Sequence, residues 1–332
     1  MNTAFLREEL LERIALHRAE KLGGLSSSAL DELRVAVRKD PDSYLEDAGD
    51  QDFSRLIDAL DAFDQVRRDA EFLDDDDAYQ KACDRGLEKL ESACRGIMDG
   101  GRSVCLDASS MEAILRSKDL DGSLPKLTGL VDLISRTGSL FPQPGTVEGT
   151  DAWDDVMMRP ALRLVDTVAC IQAESGRYRH ARETCEWLLS MSPSDGVGAR
   201  YTLAIALARL EDEDALDELD ARFGRQGNAW MHLARTLLLF KLDRIPAARR
   251  ALRGYASLCR GGAYALLRPT YVEPYLPTRP PFEPGSFEEA TIAVHECDPV
   301  IMDTPDFLGW AGGQDGFAEQ ARRFARENDL DW

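Results

Sequence analysis

Apolar residues recur along this chain at three- and four-residue spacing, and nowhere alternate long enough for a sheet. Phe5, Leu6, Leu10, Leu11 and Ile14 make one face of a first amphipathic helix, which Gly23-Gly24 ends. Ser28 and Asp31 open a second helix through Leu30, Leu33 and Val37. A third is predicted over 52–68 with Phe53, Leu56, Ile57 and Leu60 inward. A fourth is predicted over 76–98 and stops at Gly100-Gly101. Ser109 and Glu112 have capping-box spacing and predict a fifth start. A sixth is predicted over 124–135. The segment Ser139 to Asp155 then holds two prolines and two glycines and reads as a connection.

Past it the punctuation becomes regular. Pro160 suits a helix first turn, and Leu162, Val165 and Val168 continue that helix to Gly176. Tyr178 leads the next through Ala181, Cys185 and Leu188, and Pro193 stops it. Asp195 is placed to cap the helix after that. A helix, a glycine turn, a second helix and a proline within about 34 residues is the pattern of a tetratricopeptide repeat. A degenerate second unit places Ala215 where Ala181 stood, and a third begins at Ala229-Trp230. Leu267 to Ser286 carries six prolines and reads as extended backbone. Helices are predicted over 287–296 and 317–326.

The motifs of residues 153–310 resemble a family of bacterial tetratricopeptide proteins related to the suppression-of-tumorigenicity proteins of animals. The matching pieces are Arg159-Pro160, Gly176-x-Tyr178-x-x-Ala181, and the run Ser192 to Tyr201. In that run Pro193, Asp195, Gly198, Arg200 and Tyr201 agree, and Ser192 and Ser194 depart from the family's asparagines. Ala248 to Leu252, Gly285 to Ala290 and Thr304 to Trp310 complete the series. The resemblance implies a short α-solenoid over 152–312; with the helical periodicity of the N-terminal region over 1–145, which lies outside the family, the expected fold is all-α. The Pro-rich segment 267–286 belongs to the solenoid, and a polar C-terminal helix and tail occupy 313–332. It implies no defined activity.

Charge and chemistry narrow the function. With 60 acidic and 40 basic side chains the net charge is −20, which disfavours a phosphate backbone as partner. Basic character gathers between Lys241 and Arg268. Seven cysteines at wide spacings predict reduced thiols and a cytoplasmic setting. No stretch approaches the roughly 20 apolar residues of a membrane span. His17, His180, His232 and His295 lack a second ligand one turn away, so no metal, cofactor or catalytic set is expected. Asp74 to Asp77 fan out around a helix start, where they favour its dipole. The resemblance implies that the first helix of each unit lines a groove. Arg163, Asp166, Arg200, Asn228 and Arg235 would then face a carboxylate-bearing peptide.

Two other occupancies of those residues are open. One is internal pairing, as of Arg200 with Asp166, or Arg163 with Asp154 or Asp155. The other is filling of the groove by the Pro-rich segment through Glu273. The expected function is a non-enzymatic protein-interaction module with a protein or peptide partner. The alternatives are an enzyme or metal-binding site in the N-terminal half, and a nucleic-acid-associated regulator using Arg244 to Arg268.

Overall fold

The computed structural model describes residues 3–73, 75–100, 104–137, 151–270, 272 and 279–332. Among them every regular element is helical. The chain divides into two compact units, Met1–Thr167 with Tyr275–Pro280, and Val168–Pro274 with Pro281–Trp332.

The first unit holds α1 (Thr3–Lys21), α2 (Ser27–Lys39), α3 (Ala48–Ala70), α4 (Asp76–Asp99), α5 (Leu106–Leu115), α6 (Leu120–Thr137) and the start of α7 (Arg159–Glu174). Leu10 and Ile14 of α1 meet Phe53, Leu56 and Ile57 of α3 in one apolar cluster. Leu90, Cys94 and Ile97 of α4 join it. The α3–α4 crossing is close because Gly86 lies under Phe63: an added Cβ would come 2.9 Å from the ring. Caps place the helix starts. The Ser26 hydroxyl accepts from the Ala29 N–H and begins α2, so that start lies before the expected Ser28. The Asp47 carboxylate accepts from the N–H groups of Gly49 and Asp50, which starts α3 four residues before the predicted 52. The expected capping box at Ser109 and Glu112 does not form. The helix starts at Leu106 after Cys105 and is buried continuously from Leu106 to Ala113. Ser110 instead donates to the Leu106 carbonyl, and Glu112 pairs with Arg116 and Lys126. The expected connection lies mostly in 138–150, outside the described residues.

The second unit continues α7 and holds α8 (Tyr178–Met191), α9 (Ala199–Leu210), α10 (Glu213–Arg222), α11 (Ala229–Lys241) and α12 (Ile245–Leu258). After these come α13 (Gly262–Leu267), α14 (Phe287–Met302), α15 (Phe307–Gly312) and α16 (Phe317–Glu327). Ala181 and Cys185 of α8 are fully buried, and α8 packs chiefly on α9. The α9 helix also meets α10 and α11, and α11 packs on α12. Asp195 takes a left-handed φ of 60°, and its carboxylate accepts from the Arg200 N–H. Asp212, at the Tyr178-equivalent position, caps α10 through the Ala215 N–H. The α14 helix lies on α11 and α9, and α13 packs on α14 and α16. Within the expected Pro-rich segment, residues 271 and 273–278 lie outside the described residues.

Candidate functional site

The inner face of the second unit is aromatic. Tyr201 of α9 stacks on Trp230 of α11, with ring centroids 4.3 Å apart. Phe282, from the end of the proline-rich stretch, meets Trp230 at 5.3 Å. Trp230 is fully buried, so its indole N–H requires a partner, and it donates to Glu296 Oε2 of α14 at 2.8 Å. Glu289, also on α14, accepts from the Ala229 N–H at 2.7 Å and from the Gly285 N–H. The carboxylate thus caps the start of α11 from a neighbouring helix. Phe282 and α14 therefore cover the face shared by α9 and α11. Partial desolvation raises the Glu174 carboxyl above its ordinary range, and nearby Glu296 adds to the shift.

Each residue expected to line a peptide groove has a definite place. The Arg200 guanidinium lies 4.9 Å from the Tyr201 ring and 4.8 Å from the Phe223 ring. It donates to the Tyr201 hydroxyl and sits 3.5 Å from the buried Asp195 carboxylate, not at Asp166. Asn228 is the N-cap of α11, accepting from the Met231 N–H at 2.9 Å. Arg235 is held by Asp217 and Asp220 of α10. Arg163 belongs to the first unit and is only 3% exposed. Asp166, in the same unit, is 3.7 Å from Arg279. Glu273, the expected partner of the groove, is outside the described residues.

Arg163 anchors a buried charge network. Its Nη1 and Nη2 donate to the two Glu9 oxygens at 2.7 and 2.9 Å. Its Nε and Nη2 donate to the two Asp107 oxygens at 2.8 Å each. Two bidentate forks satisfy one guanidinium. Burial works against the charge, but Asp107 and Glu9 outweigh it and hold the pKa above the ordinary arginine value. The network extends along α1. Arg13 lies 3.3 Å from Asp50, and Asp50 meets His17 Nδ1 at 2.7 Å. That hydrogen bond raises the His17 pKa against the opposing effect of burial. His17, Asp47 and Asp50 bring possible ligand atoms within 4.8 Å of one another. Asp47 is already engaged as a helix cap, and Arg13 faces the Asp50 oxygen, so the local charge favours a protonated histidine over a cation. Glu9 and Asp107 escaped the sequence reading because neither stands in a motif with Arg163.

The buried thiols are poor nucleophiles. Burial pushes Cys94, Cys105 and Cys259 up to about 12, and Cys297 further. His232 lies against Gly254 and Gly227, where burial lowers its pKa. No described helix is long and apolar enough to cross a membrane. No family model matches the chain, and no curated protein or solved structure is significantly similar to it.

Proposed function

We propose that this chain is a non-catalytic, cytoplasmic protein-interaction module whose second unit is a tetratricopeptide-like stack of helix pairs. The packing of α9 directly on α11 carries the reading. It fits first helices meeting first helices along a solenoid, with α8 and α12 as second helices. In this reading α14 and Phe282 are a built-in occupant of the inner face. They take the place that a bound peptide takes in an open groove. The thiols at about 12 and the internally paired arginines of the groove positions agree with a scaffold more than with a reaction centre.

The test is capture from native lysate on the immobilised full chain, quantified by mass spectrometry against blank matrix. Proteins retained near stoichiometry are expected. No protein above blank, at loadings where the chain remains folded by circular dichroism, overturns the reading.

A further inference from the structure

Residues 244–272 contain six arginines and no aspartate, glutamate or lysine, inside a chain of net charge −20. The structure adds a second observation. Several arginines elsewhere are committed: Arg34, Arg182, Arg209 and Arg235 each pair with a carboxylate. Arg250 and Arg253 of α12, Arg260 after it, and Arg323 and Arg326 of α16 are exposed, and among the described residues their side chains have no hydrogen bond or ion pair. The fold brings the two helices to one surface. Arg249 donates to Gln314, just before α16, at 2.7 Å. Further along, Arg260 and Arg323 line one cleft of about 310 Å³. Gln320 and Ser257 add hydroxyl and amide groups to its wall, and Glu327 is its one acidic side chain.

We propose that this arginine face, centred on the Arg260–Arg323 cleft, binds an acidic peptide segment of a protein partner; this rests on the interaction-module reading. Binding there breaks no existing ion pair, because the guanidinium groups have none. Arginine presents a planar fork that meets a carboxylate bidentately, which a lysine does not. The face has useful length: Arg249 to Leu258 rises about 14 Å along α12, the reach of about four extended peptide residues.

The cleft is closely packed where it turns. Gly261 has a left-handed φ of 72°, and an added Cβ would lie 2.5 Å from Phe324 and 2.8 Å from Phe287. Glycine is therefore the residue this turn between α12 and α13 favours, and the Arg260 N–H beside it donates to the Gly285 carbonyl at 2.8 Å. A peptide fits better than a nucleic acid. The net charge of −20 repels any anion over long range, and a polyphosphate, charged along its whole length, is repelled more than a short acidic segment. The Trp332 ring already lies 5.4 and 5.6 Å from Arg268 and Arg322, so two guanidinium groups compete with a base for it.

Fluorescence anisotropy with fluorescein-labelled hexaglutamate tests the proposal on the full chain. Wild type is expected to bind, and Arg260→Glu/Arg323→Glu to lose affinity by roughly tenfold or more, with a weakening in salt of similar sign. Arg179→Glu, an exposed unpaired arginine on α8, is expected to bind as wild type does. If the reversal variant fails to fold by circular dichroism, Arg260→Gln/Arg323→Gln replaces it and must lose affinity too. Absence of binding, equal binding by the folded variant, or tighter binding of labelled oligothymidylate than of hexaglutamate each overturns the proposal. The same variant in lysate capture separates the two readings. A partner retained equally by wild type and variant removes this face from the interaction and leaves the module intact. Retention by neither removes the module reading itself.

Discussion

Replacing Arg163 with methionine removes one charge and keeps most of the side-chain volume. The two carboxylates it leaves behind are buried: the Glu9 side chain is 0% and that of Asp107 10% exposed. Four hydrogen bonds of 2.7–2.9 Å disappear at once. Breaking a buried pair by removing one partner costs about 3–5 kcal/mol. At about 2–4 °C per kcal/mol for a domain of this size, the first unit should melt roughly 6–20 °C lower. Replacing all three, as Arg163→Met/Glu9→Met/Asp107→Leu, leaves no charge stranded and should recover most of the loss. Urea unfolding followed by circular dichroism, with the melt by calorimetry, measures both. A single variant within about 1 kcal/mol of wild type would refute the reasoning, as would a triple variant no more stable than the single one.

The remaining expectations read other contacts. Gly261→Ala forces a Cβ against Phe324 and Phe287 at a positive φ and should cost about 1–3 kcal/mol, with added proteolysis of α16 as the local readout. His17 is raised by its Asp50 hydrogen bond. Its contribution is therefore full below the ordinary histidine pKa of about 6.5 and is lost as pH rises through the folded value. His17→Gln should flatten that part of the stability profile between pH 6 and 9 (about the span in which a raised histidine titrates), and an unchanged slope would dismiss the pair. Of the seven cysteines, Cys83 and Cys170 are half-buried and the other five buried. A chromogenic disulfide should label Cys83 first in native protein and Cys94, Cys105, Cys185, Cys259 and Cys297 only after denaturant. Fast labelling of Cys297 would contradict its burial.

The helices were legible where local chemistry decides them. Ala181, Cys185 and Leu188 mark one face of α8, Gly176 turns at φ 76° before it, and Pro193 stops it. The starts that slipped did so for a physical reason. Ser26 and Asp47 cap from just outside the apolar periodicity, whereas Ser109 and Glu112 sit in capping spacing on a helix buried from Leu106 to Ala113. Spacing could not distinguish a capping serine from one inside a buried helix. The pairings were out of reach because they are long-range. Glu9 lies 154 residues from Arg163, and Glu296 lies 66 from Trp230. No periodicity links such positions; only the fold brings them together.

A charge total says less about a binding surface than the partner of each charge does. Lysine and arginine number 40 in this chain, and a guanidinium held by a carboxylate has little left to offer a ligand. To bind, it must exchange one partner for another, a process near neutral in free energy at exposed sites. Arg235 illustrates the point: as a lone cation beside an inner face it suggested a peptide contact, yet Asp217 and Asp220 already use it. The arginines of α12 and α16 differ in this respect. Glu319 and Glu327 sit on α16 itself, within reach in sequence, and form no bridge with Arg323 or Arg326. Desolvated by an incoming carboxylate, those guanidiniums gain a partner instead of exchanging one. If supplying a new internal carboxylate, for example by Ser257→Glu in the cleft wall, fails to weaken hexaglutamate binding, then the absence of partners is not what makes the face receptive.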